Sequence, residues 1–398
     1  MKIVHVTTSN KGGGAAIAAI RHSEALRRKG IDSVVLAGKG IAQDKCRVLG
    51  RGKIQRFCYA ILFYFTRCLK KAGISWNLLL FGKSIIKEKE VADADVVVLH
   101  YINEFLNYRA IRDLLVSGKK IVWYMHDMWP MTGGCHHALN CEGYTKECTN
   151  CPQLLSFKTL ATWQLRKKKK IFNKKLIAVT PSRWLADCLH KSTLFREANI
   201  YVCPNVINCE VFKPLEKIEA RRILKLDEDK RYVLFGAASL GSLYKGVSYA
   251  YETLEKLSQE YEFMALGNLS IEELPESIQK RTHIMGFVND DESKRTIYSA
   301  ADLFLITSVA ENYPNMVIES MACGTPAVGF KTGGIVEQIE DRVTGCLAPI
   351  GDIDALIKGI NWIEKNNVKG IVSAKARDFV LQNCSYEKIE ELYAPFIH

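Results

Sequence analysis

Residues 310–334, AENYPNMVIESMACGTPAVGFKTGG, decide how the rest of the chain reads. They follow the apolar run Leu303-Phe304-Leu305-Ile306 and end in a second strand-like run, Ala327-Val328-Gly329-Phe330. Between the runs, Pro314 and Asn315 stand where a helix would begin, and Ala322, Cys323, Gly324 and Thr325 where it would pack closely and stop. Proline suits a helix start because it has no N–H to satisfy and its φ is already helical. The N–H groups that follow point out of the helix end, where the dipole favours an anion. Glu311 sits in the loop and Glu319 about a turn inside the helix. Amides and two carboxylates at one mouth suit a ligand carrying both phosphate and hydroxyl groups. Either glutamate alone reads more simply as a solvated charge.

The same strand–loop–helix order runs through the whole chain. Lys2–Thr7, Asp32–Ala37, Asp95–His100, Lys120–Met125 and Lys175–Val179 are strand-length apolar runs in the first half. Arg231–Phe235, Phe263–Leu266, His283–Met285, Leu303–Ile306 and Ala327–Phe330 serve the second half. Helices are expected at Ala15–Lys29, Val247–Gln259, Asp290–Ala300, Pro314–Cys323 and Asp352–Glu364. Continuous apolar strands alternating with helices predict α/β architecture with parallel sheets buried on both faces. The halves are two Rossmann-like, doubly wound units that meet near Cys203–Asn208. Ligands of such sheets bind beyond the carboxyl ends of the strands.

Length and charge agree with two domains. The chain has 398 residues and 48% hydrophobic content. Its net charge of +12 is unevenly placed: residues 1–204 carry 34 basic against 14 acidic side chains, and residues 205–398 carry 21 against 29. A basic half can serve nucleic acid, anionic lipid or a phosphorylated substrate. No nucleic-acid module accompanies it, so nucleic acid is excluded as a partner. Met1-Lys2 runs directly into a strand, and no apolar run reaches the ~20 residues that span a bilayer. Of the 13 cysteines, nine are scattered singly, unlike a secreted disulfide framework. A cytoplasmic location is expected.

Several further positions could carry chemistry. Gly12-Gly13-Gly14, between the first strand and helix, permits close backbone approach to a substrate or makes a structural turn. It lacks the dinucleotide spacing, and no acidic residue closes the second strand, which argues against a nicotinamide dehydrogenase. His126-Asp127 stand at the carboxyl end of a strand, where a histidine can position or deprotonate a hydroxyl. Lys245-Gly246 precede a helix where a lysine can neutralise a diphosphate. Cys135, Cys141, Cys148 and Cys151 share one loop. They suit a structural tetrahedral zinc, with His136 or His137 as substitute ligands, or else form reduced thiols or disulfides bracing that loop. Lys53–Lys71, KIQRFCYAILFYFTRCLKK, is an apolar and aromatic segment with basic ends. Together with the basic run Arg166–Lys170 and Lys174-Lys175, it reads as a face for an anionic membrane or as a buried helix with solvated ends.

Taken together, these motifs resemble the retaining family-4 glycosyltransferases of the GT-B fold over nearly the whole chain. The resemblance rests on Gly12–Gly14, His126-Asp127, Val179-Thr180-Pro181-Ser182, Pro204-Asn205, Lys245-Gly246 and Gly286-Phe287-Val288. Its most specific part is Glu311-x7-Glu319 with Met321–Pro326 and Gly333-Gly334. It implies two domains facing an interdomain cleft: an acceptor domain over residues 1–204 and a donor domain over 205–384. Residues 385–398 would form a helix crossing back to the first domain. In the donor site Lys245 would bind the diphosphate, Glu319 the ribose hydroxyls and Glu311 the transferred sugar. The backbone around Asn315, Met316 and Val317 would hold sugar or phosphate, while Phe287 and Val288 would meet the base. Gly13 and Gly14 would approach the donor, and His126 would sit at the sugar, with Asp127 on the acceptor side.

Members of the family usually need no metal for transfer, so no cofactor is expected for catalysis, and the one metal expected is the structural zinc that the cysteine spacing suits. The family's usual arginine is replaced here by Ser239, which removes a fork-shaped donor from the diphosphate. The cysteine loop is similar to loops of colanic-acid and other exopolysaccharide glycosyltransferases. The expected partners are therefore a nucleotide-sugar, UDP ahead of GDP, and a glycan or lipid-linked acceptor at the inner face of the cytoplasmic membrane. A nucleotide-sugar epimerase of the same fold, and a non-catalytic nucleotide-sugar-binding protein, are the alternatives.

Overall fold

Short apolar runs pair into two separate parallel sheets in the computed structural model, which describes residues 1–50, 52–172, 176–237 and 242–397. The first sheet has seven strands: β1 (Lys2–Ser9), β2 (Asp32–Lys39), β3 (Cys46–Val48), β4 (Val96–Leu99), β5 (Lys120–Tyr124), β6 (Leu176–Thr180) and β7 (Ile200–Val202). Their order is β3-β2-β1-β4-β5-β6-β7. In register, Val4 stands opposite Val34 on one side and Val97 on the other. Ile3, Val4, Val97, Val98 and Leu99 have no solvent access, as a sheet covered on both faces requires. Helix Gly14–Arg28 covers one face through Ala18, Ala19, Ala25 and Leu26.

The second sheet has six strands: β8 (Arg231–Ala237), β9 (Tyr261–Gly267), β10 (Thr282–Gly286), β11 (Leu303–Ile306), β12 (Ala327–Phe330) and β13 (Gly345–Ala348). Their order is β10-β9-β8-β11-β12-β13. Alternate residues of β8 face opposite layers. Leu234 packs with Met264, Phe304 and Ile318, whereas Val233 and Phe235 pack with Leu254, Phe263 and Ile360. In each sheet the order reverses beside the first strand, between β1 and β4 and between β8 and β11. Such a switch point opens a crevice at the strands' carboxyl ends.

The chain divides into two compact units, Met1–Val206 with the last helix, and Ile207–Lys388. That last helix, Ile389–Ile397, is held on the first unit. The Tyr393 hydroxyl is 2.8 Å from His22 Nδ1, Phe396 lies 5.9 Å from Tyr201 ring to ring, and Lys120 Nζ donates to the Ile397 carbonyl at 3.0 Å.

β3 and β13 carry no strand expectation, and β7 enters only as an unbounded strand before the turn at Cys203–Asn208. All three lie at sheet edges; β3 and β7 are only three residues long, and β13, Gly345–Ala348, opens on glycine and ends on alanine, so none forms a conspicuous apolar run. Pro314 caps the helix Asn315–Ala322 from outside, with φ −64° and ψ 126°, instead of opening it.

Candidate active site

In the second unit, the ends of β8 and β11 bring Lys245 and Glu311 together. Lys245 closes a short turn, Leu243–Lys245, and Gly246 then takes a left-handed conformation, φ 59° and ψ 36°. A Cβ on Gly246 would stand 2.0 Å from the Thr307 carbonyl oxygen, so only glycine lets this loop lie against the end of β11. Two bonds fasten the contact: Thr307 Oγ1 donates to the Gly246 carbonyl at 2.9 Å, and Val309 N donates to the Tyr244 carbonyl at 2.8 Å. Lys245 Nζ then forms an ion pair with Glu311 Oε1, which also accepts from Ser308 Oγ at 3.3 Å.

Gly333 supports Glu311 from below. Its φ is 49°, and a Cβ there would lie 1.7 Å from the Glu311 carbonyl oxygen, which accepts from Gly334 N at 3.2 Å. The pair is only partly solvated, with side-chain exposures of 36% for Lys245 and 13% for Glu311. A cation held by one partly buried carboxylate can exchange it for a diphosphate, freeing the carboxylate for a hydroxyl.

Glu319 lies in the adjoining helix, buried, and its Oε2 accepts from the Tyr298 hydroxyl at 2.8 Å. Tyr298 itself is fully buried. At the same helix mouth Asn315 is buried and Met316 approaches the end of β8, where a Cβ on Gly236 would meet Met316 Cε at 2.6 Å. The amide of Val317 donates to the Pro314 carbonyl at 3.2 Å, and its side chain lies in the core. At the end of β10, Gly286 takes φ 71°, Phe287 is exposed, and Val288 packs against the core. Ser239 lies outside the described residues.

Within the first unit, histidines on or just beyond three neighbouring strands come together. His5 Nδ1 is 2.8 Å from His100 Nε2, and His100 Nδ1 is 2.9 Å from His126 Nε2. His126 and His100 border one small pocket with Tyr101, Asn103 and Asp127. Burial pushes the His126 imidazole down to about 4, partly opposed by the Asp127 charge. It pushes His5 down to about 3, with help from Arg27, and holds His100 and His22 well below the ordinary range. All four rings are neutral near pH 7.

Asp127 turns away from this chain. Its Oδ1 accepts from Trp129 N at 2.8 Å, and its Oδ2 is 2.7 Å from His136 Nδ1. His136 Nε2 in turn meets Asn77 Oδ1 at 2.7 Å. Burial alone would raise the Asp127 carboxyl, but His136 and the Trp129 amide hold it below its ordinary value. Gly13 takes φ 82° and caps helix Gly14–Arg28 with open space around its Cβ direction.

The cysteine loop packs beside Asp127. Cys135, Cys141, Cys148 and Cys151 all border one small cavity, and all are free thiols. Burial raises Cys148 to about 11. Among the described residues no group of three or more His, Cys, Asp or Glu is set at metal-binding geometry. Beneath the loop, Lys168 is turned inward from an otherwise exposed basic run. Its Nζ donates to the carbonyls of Trp129 and, at 2.9 Å, Thr132, and lies 3.6 Å from the Trp129 ring centre. Burial lowers it to about 7, opposed by Cys135, Cys148 and Asp127.

Sequence reasoning missed His5, His100, Tyr298 and Ser308. His100 had a legible signal, because it follows β4 as His126 follows β5. His5 and Tyr298 depend on contacts between segments distant in sequence, and Ser308 on the turn that brings its hydroxyl to Glu311, three residues on.

Two family models match the chain: one described as Glycosyltransferase Family 4 over residues 12–211, the other as Glycosyl transferases group 1 over residues 231–366. An uncharacterized glycosyltransferase of Methanocaldococcus jannaschii is 28% identical over an alignment of 158 residues that covers 37% of this chain and 39% of that protein. The putative colanic acid biosynthesis glycosyl transferase WcaC of Escherichia coli is 22% identical over an alignment of 357 residues that covers 83% of each chain. Anabaena HepE, solved in complex with UDP, matches 99% of both chains with a TM-score of 0.68 and 17% identity. Likeness at that identity speaks for the fold alone.

Proposed function

The chain belongs to glycosyltransferase family 4, and from that premise we propose that it moves a sugar from a nucleotide-sugar to a hydroxyl of a glycan. The observation that carries the reading is the Lys245–Glu311 pair at the switch point of the second sheet. Lys245 takes the diphosphate and offsets the charge that grows there as the glycosidic bond breaks. Glu311, released from the lysine, orients the sugar. Glu319, fixed by Tyr298, addresses the ribose, and the helix mouth at Asn315 and Met316 lies against the phosphates. The proposed outcome is retention, with the acceptor attacking from the side the nucleotide leaves. UDP is the proposed nucleotide and a surface polysaccharide the proposed product, supported by the similarity to WcaC, a putative colanic acid biosynthesis glycosyl transferase, and to HepE, which was solved with UDP.

Two ancillary roles belong to the first unit. Helix Lys53–Leu69 buries only Tyr59, Leu62, Thr66 and Leu69, while Ile54, Phe57, Ile61, Phe63, Tyr64 and Phe65 are exposed. Lys53, Arg56 and Arg67 flank these residues, so an anionic phospholipid surface is the proposed partner of this face. No described helix is long and apolar enough to cross a membrane. The four-thiol loop is proposed to hold a structural zinc, with Lys168 as the buried cation beside the thiolates. Reaching the ~2.3 Å of a zinc–sulfur bond takes side-chain rotation within the cavity.

Thermal melting against UDP-, GDP-, dTDP- and CMP-sugars, followed by transfer and hydrolysis assays on whichever binds, tests the central reading. Stabilisation by one nucleotide-sugar and turnover that needs an acceptor are expected. Release of an isomerised free sugar without acceptor, or binding with no turnover for any acceptor, would replace transfer by epimerisation or by a binding role.

A further inference from the structure

Helix Thr159–Ile171 turns one face inward and another to a groove on the first unit. Gln164 and Lys168 pin the inner face. Gln164 Nε2 donates to the Asn77 carbonyl at 2.8 Å and to the Gly133 carbonyl at 3.0 Å, its Oε1 accepts from Leu79 N at 2.9 Å, and Lys168 donates to the Trp129 and Thr132 carbonyls. Trp163, Arg166, Lys167 and Lys170 recur at intervals of three and four, so they share the outer face. They line an open groove of about 670 Å³ whose other side is Thr149 and Asn150. Thr162 Oγ1, also in the lining, donates to the Cys148 carbonyl at 3.2 Å and ties the two walls together. The groove shares no lining residue with the pocket at His126.

Its chemistry is mixed in an informative way. Three lining side chains are cations, and among the described residues none is a carboxylate. Arg166 already holds a carboxylate from outside the groove: its Nη2 donates to Glu147 Oε2 at 2.7 Å, with side-chain exposures of 62% and 57%. So exposed a pair is weak and screened, and a better-placed carboxylate can replace Glu147. Trp163, 39% exposed, supplies an apolar plane. Tyr108 packs edge-on against it with ring centres 6.3 Å apart, and Lys167 Nζ lies 5.7 Å from its centre. Thr149, Asn150 and Thr162 add hydroxyl and amide groups. An indole beside hydroxyls, an amide and a guanidinium fork matches a sugar ring that carries a carboxylate. The volume falls within the roughly 300–1,000 Å³ of small-ligand sites, far more than a phosphate ion fills, and a flat bilayer surface does not enter a recess.

We propose that this groove binds an acidic saccharide, a stretch of glycan bearing carboxylated sugars. Trp163 takes the C–H face of a ring, Arg166 and Lys170 take carboxylates, and Thr149 and Asn150 meet hydroxyls. Binding stands on the groove alone; its use as a hold on the acceptor glycan rests on the proposed transfer. The neighbouring surface agrees with that use. Phe157, just before the helix, lies 6.4 Å ring to ring from Phe65 of the proposed lipid-facing helix, so a glycan anchored in a bilayer at that face would pass the groove.

The test is calorimetric titration of the full chain, without nucleotide, with oligogalacturonates and hyaluronan oligosaccharides against neutral cello- and chito-oligosaccharides of the same lengths. The Trp163 indole N–H resonance is followed by NMR in parallel. An acidic saccharide should bind about tenfold or more tighter than its neutral counterpart, shift the Trp163 resonance and weaken as salt rises. Arg166→Gln/Lys170→Gln should lose about ten- to a hundredfold of that affinity, the scale of hydrogen bonds to charged groups. Trp163→Ala should lose about three- to tenfold. All three side chains are exposed, so both variants should melt within about 2 °C of wild type. Equal binding of acidic and neutral saccharides, equal binding of a short polyglutamate, or unchanged affinity in both variants would overturn the proposal. So would saccharides that do not bind while the variants lose sedimentation with phosphatidylglycerol vesicles, which would assign the groove to the lipid-facing surface. Turnover is read separately: no transfer from any nucleotide-sugar would remove the proposed function and leave the titration to judge the groove.

Discussion

Replacing Lys245 by alanine separates catalysis from stability at the proposed donor site. The resting lysine is held by Glu311 in a partly exposed ion pair, a kind of contact worth roughly 0–1 kcal/mol to folding. Glu311 keeps its Ser308 donor at 3.3 Å, so it is not stranded. The melting temperature of Lys245→Ala should therefore fall by no more than about 4 °C. Turnover should suffer far more. Loss of one donor at a centre of developing negative charge costs about 2.7–4 kcal/mol of barrier, or roughly 10²–10³ in kcat. The bared Glu311 carboxylate would also repel the incoming diphosphate and raise the donor KM. Lys245→Ala/Glu311→Gln removes that repulsion and should recover nucleotide binding without recovering kcat. The assay is initial-rate transfer from the nucleotide-sugar that stabilises the wild type, paired with melting with and without nucleotide. A kcat within about twofold of wild type in Lys245→Ala would refute the reasoning.

Tyr298→Phe removes the hydroxyl that donates to Glu319 Oε2 at 2.8 Å and should cost about 1.5–3 kcal/mol in urea unfolding, with weaker protection by nucleotide. Stability should also fall as pH drops. His5 and His126 accept protons only near 3 and 4 when folded, whereas unfolded histidine accepts them near ~6.5. Between those values the unfolded state binds more protons, so each ring contributes up to about 1.4 kcal/mol of lost stability per pH unit. Denaturant titrations from neutral to mildly acid pH should show the slope, and His126→Asn should reduce it. Phe57→Glu/Ile61→Glu, both on the exposed helix face, should abolish sedimentation with phosphatidylglycerol vesicles while leaving the melting temperature within about 2 °C; equal sedimentation of wild type and variant would remove this face as the contact. Metal analysis of protein purified without chelator should return about one zinc per chain, released when the four loop cysteines are alkylated. Metal-free protein with all four thiols reactive would make the loop a reduced-thiol brace.

Leu303–Ile306 and Ala327–Phe330 are strands with the limits their apolar runs suggest, because a strand buried on both faces declares itself in composition alone. Lys245-Gly246, Glu311 and Gly333 were legible for a similar reason. Chain reversals at strand ends demand glycine, and here a Cβ would strike the Thr307 and Glu311 carbonyls. What no local pattern holds is which segments meet. Tyr298 reaches Glu319 from another helix, and Lys168 turns inward from a run whose neighbours face water. Asp127, adjacent to His126 in sequence, points instead to His136. The exposed face of Lys53–Leu69 was equally open, since an apolar segment reads alike whether it packs or waits for a partner.

By itself, then, the sequence determined two α/β units, the strand ends at which chemistry could gather, and a family whose motifs lie at those ends. Tertiary structure alone decided the strand order. That order sets β8 beside β11, so that Lys245 meets Glu311, and sets β1, β4 and β5 side by side, so that three histidines meet in a file. The reason is physical: backbone propensity and hydrophobic period act over a few residues, whereas pairing between parallel strands is settled by burial summed over the whole sheet.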